Sequence, residues 1–180
     1  MIKQILNKLL KNKTLIQQLK ENGLKVGQNF FMNTGCMIDF SHCWLIEIGD
    51  NVTLGPNVTI LAHDASTKFH TGYTRIAPVT IGNNVFIGVS SVVMPGVTIG
   101  NNVVVGAGSV VTKDILDDSL VVGSPAKVIG KTSDYILRQK ALMRDDLLFD
   151  ESFTLRGGIS EEKKQKMKTL LGENGQGFVS

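Results

Sequence analysis

Cysteine is nearly absent from this sequence, with Cys36 and Cys43 its only two. They form no C-x-x-C pair and give no disulfide framework, which sets aside the disulfide-built secreted scaffolds. A reducing cytosol is the expected compartment. Aromatic residues are few, at 6%, and argue against a sandwich packed round large rings. No run of about 18 apolar residues occurs, so no membrane span is predicted. No secretory leader is expected either, because Lys8, Lys11 and Lys13 interrupt any apolar stretch near the start. The net charge of +3 is too mild to read as a nucleic-acid footprint.

What the sequence has is glycine, 19 residues of it, in a chain of 180 that is 42% hydrophobic. The length suits one domain with flanking segments. The pattern inside it is a repeat. An aliphatic residue followed by glycine occurs at Ile48, Leu54, Ile81, Ile87, Ile99 and Val105, and Ile60, Val93 and Val111 keep the same phase without the glycine. Four residues after these positions stands Val or Ser, at Val52, Val58, Val85, Ser91, Val97, Val103 and Ser109. A period of six is neither helical nor a simple strand alternation. It describes short strands joined by tight turns, with the aliphatic and the small residue both facing inward. Gly and Asn after the aliphatic position suit turns, because both tolerate positive φ. Three steps close a coil of about 18 residues, and each coil covers the apolar face of its neighbours. The predicted core is therefore all-β, a parallel β-helix, over residues 24–131.

Two breaks interrupt it. An earlier, weaker phase runs through Val26, Met32 and Ile38, and the step from Ile38 to Ile48 is too long, which places a bulge or small loop there. The step from Ile60 to Ile81 is longer still, and residues 61–80 are expected to leave the coil as a loop. That loop is polar and carries His63, Asp64, Lys68, His70, Tyr73 and Arg75. Long loops inside compact domains are commonly functional. Outside the coil, residues 2–20 read as an amphipathic helix in a segment 1–23, suited to packing or to lying on an anionic membrane surface. Residues 132–180 are expected to form a helical extension, with helices over 133–147 and 161–171, the second capped by Ser160, and a disordered tail over 172–180.

The segments IEIGDNVTLGP (46–56), VTIGNNVFIG (79–88), PGVTIG (95–100), GAGSVVTKD (106–114) and GSPAKVI (123–129) resemble the hexapeptide-repeat acetyltransferases. The likeness is to maltose, galactoside and nodulation-factor acetyltransferases and to the sugar O-acetyltransferases of surface-polysaccharide synthesis. The resemblance implies a left-handed parallel β-helix, an exception to the usual crossover hand, with α-helical segments at both ends. It also implies a homotrimer with active sites between subunits, acetyl-CoA as acyl donor, and a sugar or polysaccharide-precursor hydroxyl as acceptor.

Acyl transfer from a thioester needs a base for the acceptor hydroxyl, a donor for the oxyanion and a route out for the thiolate. His63 opens the excursion where the family's catalytic His stands, and an imidazole titrates near working pH. Asp39 stands one coil plus one step earlier, so it can approach His63, and in related serine acetyltransferases an Asp in such a context supports the His. Asp64 is the rival partner. His42, in the first register break, and His70, Tyr73 and Arg75, in the excursion, are candidates for the acceptor site. By resemblance, backbone N–H groups near Gly88 and Val89 are the oxyanion donors, and Gly88 and Ala107 leave room for the pantetheine arm. Thr112 and Lys113 match the family's T-K pair at the phosphate end of CoA. Lys127 stands where the family often has Arg, as a point charge rather than a fork. Phe86 replaces a Trp common in the galactoside-type enzymes.

Two other readings compete. A γ-type carbonic anhydrase uses the same coil, but its zinc takes three histidines including a tight pair; this chain has only His42, His63 and His70, so no metal is expected. A non-catalytic scaffold leaves the polar excursion and the Thr112-Lys113 pair unexplained.

Overall fold

The computed structural model describes residues 14–180. Most of the helix expected over 2–20 lies outside the described residues, and with it Lys3, Lys8, Lys11 and Lys13 and the membrane-surface reading. Its end is the helix Leu15–Glu21, opened by a capping box between Thr14 and Gln17 and anchored by the buried Leu19.

The chain from Lys25 to Val122 winds as a parallel coil, each turn giving one short strand to each of three sheets. One face stacks Lys25–Val26, Ile46–Ile48, Val79–Ile81 and Thr98–Ile99. A second stacks Phe31–Met32, Thr53–Leu54, Phe86–Ile87, Val104–Val105 and Ser119–Val122. The third stacks Met37–Ile38, Thr59–Ile60, Val92–Val93 and Val110–Val111. The register runs like on like: Ile48, Ile81 and Ile99 align, as do Leu54, Ile87 and Val105, and Ile60, Val93 and Val111. All nine side chains are buried, and so are the small residues four places on, from Val52 to Ser109. Burying each Val or Ile is worth about 1.5–3 kcal/mol, and the gain exists only when neighbouring coils are present.

The corner between the first two faces is held by polar columns. Asn29, Asn51, Asn84 and Asn102 all have φ of 53–56°, a region Asn tolerates better than most residues. Their amides form a ladder, each Nδ2 donating to the next Oδ1 at 2.9, 3.0 and 3.1 Å. Beside it, Asp50, Asn83, Asn101 and Asp117 each accept the backbone N–H of a residue one coil away, at 2.6–2.9 Å.

The spacing of the rungs measures the two breaks. Partners stand 18 residues apart in the regular coils, 22 apart across the first break and 33 apart across the second. Both breaks leave the coil at the same corner, just after Ile38 and just after Ile60, which are register partners on the third face. The first contains a turn of 3-10 helix, Cys43–Leu45. The second folds on itself: His63–Asp64 pairs antiparallel with Arg75–Ile76, and the helical turn Lys68–Thr71 ends at Gly72, φ 79°. It closes earlier than the sequence suggests. Val79 and Thr80 already belong to the first face, because Val79 pairs with Ile46 and is buried.

The coil continues past Val111, within the predicted 24–131. Ile115 bridges to Ile99, and Ser119–Val122 adds a rung to the second face. Lys127–Lys131 then returns antiparallel over it.

Residues 134–180 form a separate compact unit. It holds the end of the helix Thr132–Ala141, a 3-10 turn Asp145–Leu147, and the helix Glu161–Asn174 capped by Ser160. The tail is not disordered. The helix runs on to Asn174, and Phe178–Val179 pairs in parallel with Leu148–Phe149, of which Phe149 is buried.

Candidate active site

Where the two breaks meet, Asp39 and His63 come together. Asp39 continues the third-face strand after Ile38, and its N–H donates to the Ile60 carbonyl at 2.9 Å. Its side chain is 1% exposed. Oδ1 accepts the N–H groups of Ser41 and His42 at 3.0 and 3.2 Å, and Oδ2 accepts the N–H of Ala62 at 2.9 Å. Oδ2 also meets His63 Nδ1 at 2.5 Å. Burial pushes the Asp39 carboxyl up, but the hydrogen bonds from His63 and from the Ala62 N–H, the His63 charge and the His42 N–H outweigh it, so the group sits below its ordinary value and is ionised. An ionised carboxylate on Nδ1 fixes the proton there and leaves Nε2 with its lone pair. The His63 side chain is 35% exposed. Asp64 does not serve His63: its carboxylate accepts the Ser66 N–H at 2.9 Å.

His42 joins the pair. Its ring centroid lies 5.2 Å from that of His63 and 5.4 Å from that of Trp44. Its Nδ1 is buried, 4.0 Å from Asp39 Oδ1, without a hydrogen-bond partner among the described residues. Trp44, the only tryptophan, and Phe40 are both more than half exposed here. Sequence reasoning passed over both; the signal available was a rare aromatic inside a register break.

The remaining predicted residues fall into separate groups. Thr112 and Lys113 follow Val111 at the same corner as Asp39 and Ala62, two rungs along from Ile60, and are exposed. Gly88, Val89 and Ala107 occupy the next corner, between the second and third faces. Gly88 cannot be an oxyanion donor there, because its N–H is spent on the Val105 carbonyl at 2.8 Å. Its lack of a side chain serves the coil instead: a Cβ would stand 2.5 Å from Ala107 N. Val89 and Ala107 are exposed. Lys127 is exposed at the start of the return strand, and neither it nor Lys113 has an ion-pair partner among the described residues. His70 and Tyr73 are exposed in the excursion. Arg75 is exposed, and its Nη2 donates to the Pro95 carbonyl at 3.1 Å, which ties the excursion to the coil. Among the described residues, no helix is long and apolar enough to cross a membrane.

Comparison with known proteins agrees with this architecture. Residues 78–113 match the family model described as hexapeptide repeat of succinyl-transferase. The chain is 41% identical over 139 residues to protein CapG of Staphylococcus aureus, covering 74% of this chain and 81% of that protein. A solved maltose O-acetyltransferase from Clostridium difficile 630 is 49% identical, with 61% of this chain and 59% of that one covered and a TM-score of 0.54. The hexapeptide-repeat-containing acetyltransferase VCA0836 of Vibrio cholerae O1 biovar eltor, solved with acetyl coenzyme A, is 32% identical over 61% of each chain, with a TM-score of 0.55. The shared fold is the left-handed parallel β-helix. Other curated relatives are longer, and the chain spans 51–59% of their length.

Proposed function

Because the chain belongs to the hexapeptide-repeat acetyltransferases, we propose that it moves an acetyl group from acetyl-CoA to a hydroxyl of a sugar or polysaccharide precursor, with His63 as general base. The observation that carries this reading is the contact of His63 Nδ1 with the buried, ionised Asp39. As the acceptor oxygen attacks the thioester carbonyl carbon, His63 Nε2 takes its proton. When the C–S bond breaks, the imidazolium returns a proton to the leaving sulfur. Asp39 holds the tautomer and offsets the charge that forms on the ring. With the Gly88 amide committed to the coil, the neighbouring Val89 N–H is the backbone group assigned to the oxyanion.

The donor is given three features of this chain. Lys113 and Lys127 offer exposed charge for phosphates, and Ala107 offers an exposed small residue beside the stacked glycines. The acceptor class rests on the maltose O-acetyltransferase among the similar structures and on the exposed aromatic surface of Trp44, which packs on His42, a surface of the kind sugars stack on. The working unit is a homotrimer with sites between subunits. Its support in this chain is the outward pair Phe31 and Phe86, 58% and 46% exposed, which flank Thr53 on the second face. Sedimentation velocity reads the trimer directly.

The test is an acceptor panel of sugars, amino sugars and serine with acetyl-CoA, following free thiol. Thiol release that depends on a sugar hydroxyl and is lost in His63→Ala is expected. Release with no acceptor above the rate of hydrolysis, or an unaltered rate in His63→Ala, would overturn the reading.

A further inference from the structure

We propose that Asp39, His42 and His63 form a binding site for a zinc-class divalent cation, and that the cation-bound chain is the inhibited form. One ligand atom from each of the three lies within 4.8 Å of the others. His42 is the informative member. Its Nδ1 is buried and unpartnered among the described residues, yet directed toward the same carboxylate that holds His63. Trp44 packs beside the ring, and the backbone N–H groups of Ser41, His42 and Ala62 fix the carboxylate. Such outer partners are what orient metal ligands.

The donor set selects the ion. Two imidazoles and one carboxylate suit zinc and its neighbours rather than magnesium or calcium, which prefer oxygen. Three protein ligands with an open position are an arrangement zinc accepts. With bonds of about 2.0–2.1 Å, tetrahedral ligand atoms stand roughly 3.3 Å apart. His63 Nδ1 lies 2.5 Å from Asp39 Oδ2 and His42 Nδ1 lies 4.0 Å from Asp39 Oδ1, so the two imidazoles approach opposite oxygens of one carboxylate at separations on either side of that value. The widest separation among the three ligand atoms is no more than 4.8 Å, so shifts of up to about 1.5 Å close the site round an ion.

Inhibition follows from the tautomer. A neutral imidazole carries one proton. When Nδ1 of His63 gives its lone pair to a cation, the Nδ1 proton passes to solvent and Nε2 takes one up, so no net proton is gained or lost. Nε2 is then a donor and can no longer accept the proton of a hydroxyl. This consequence rests on His63 being the base; the binding itself does not.

The test uses the full chain with cobalt(II) as the spectroscopic probe and zinc as the inhibitor. One equivalent of cobalt should give the visible absorption of a tetrahedral site. The band should be lost in His42→Ala and in His42→Phe, which keeps a ring against Trp44, and should persist in His70→Ala. Equimolar zinc should cut thiol release at least tenfold, and EDTA should restore it. No band, or a band that survives both His42 substitutions, overturns the site. Cobalt binding with an unchanged or increased rate in zinc overturns the inhibitory role. A metal-free chain that transfers no acetyl group to any acceptor overturns the assignment of His63 as base and the inhibition with it, while the cobalt spectrum alone decides the site.

Discussion

Asp39 and His63 are 24 residues apart in the chain and share a hydrogen bond of 2.5 Å. They meet because two insertions leave successive coils at one corner, from register partners Ile38 and Ile60. Neither insertion alone makes a site; the stacking superimposes them. Removing the imidazole should therefore abolish proton transfer while leaving the coil intact. His63→Ala is expected to lower turnover at least 100-fold, about the contribution of a general base, with the affinity for acetyl-CoA nearly unchanged. Steady-state rates and calorimetric binding of the donor to the same protein check it.

Asp39 has a second task, because three backbone N–H groups end on it. Asp39→Ala leaves them without their acceptor and should cost about 1–3 kcal/mol or more of stability, read by urea unfolding. The sign of its pH dependence also follows. The folded-state pKa lies below the ordinary value, so the contribution is fully present above the unfolded-state pKa of about 3.9 and is lost as pH falls through the lower folded value. The stability gap between the native chain and Asp39→Asn should be constant at neutral pH and shrink in the acid range. A gap that widens on acidification would contradict the burial and bonding described for Asp39.

Much of this was legible in the sequence, for a physical reason. Every aliphatic position in the six-residue phase from Ile48 to Val111 is buried, because a coil of fixed pitch allows one inward place per step. The two phase errors likewise marked the site, since an insertion in a stacked coil can only go outward. The hidden parts were those set by hydrogen bonding rather than periodicity. The bond from Arg75 to the Pro95 carbonyl leaves no mark in the repeat, and Gly88 reads as an oxyanion donor until Val105 is seen to take its N–H. The pairing of Phe178–Val179 with Leu148–Phe149 joins segments that no repeat connects.

Lys113 offers a more modest prediction. It is exposed, unpaired among the described residues, and on the corner that also carries Asp39. Lys113→Ala should raise KM for acetyl-CoA about three- to tenfold, in line with one charged contact to a phosphate, with kcat little changed. The native KM should rise with salt, and the variant's should rise less.

Asn84 tests the ladder. It combines φ of 56° with rungs to Asn51 and Asn102. Asn84→Gly keeps the backbone freedom and loses both rungs, at about 0.5–1.5 kcal/mol each. Asn84→Ala adds about 1–2 kcal/mol for a left-handed residue with a Cβ. Thermal unfolding should therefore rank native above Gly above Ala. Equal loss in the two variants would mean that the rungs alone matter.

Gly88 separates a structural glycine from a donor-binding one. An added Cβ would meet Ala107 N at 2.5 Å and Gly106 C at 2.8 Å, both backbone atoms of the next coil that cannot swing away. Gly88→Ala must push two coils apart, which should cost about 1–3 kcal/mol as overpacking does, whether or not acetyl-CoA is present. Gly130 is the control, since nothing stands within 4 Å of its added Cβ, and Gly130→Ala should be near neutral. If Gly88→Ala instead unfolds like the native chain and loses only donor affinity, the glycine is there for the pantetheine arm. The two outcomes are read by melting curves without ligand, and the close approach of Ala107 favours the first.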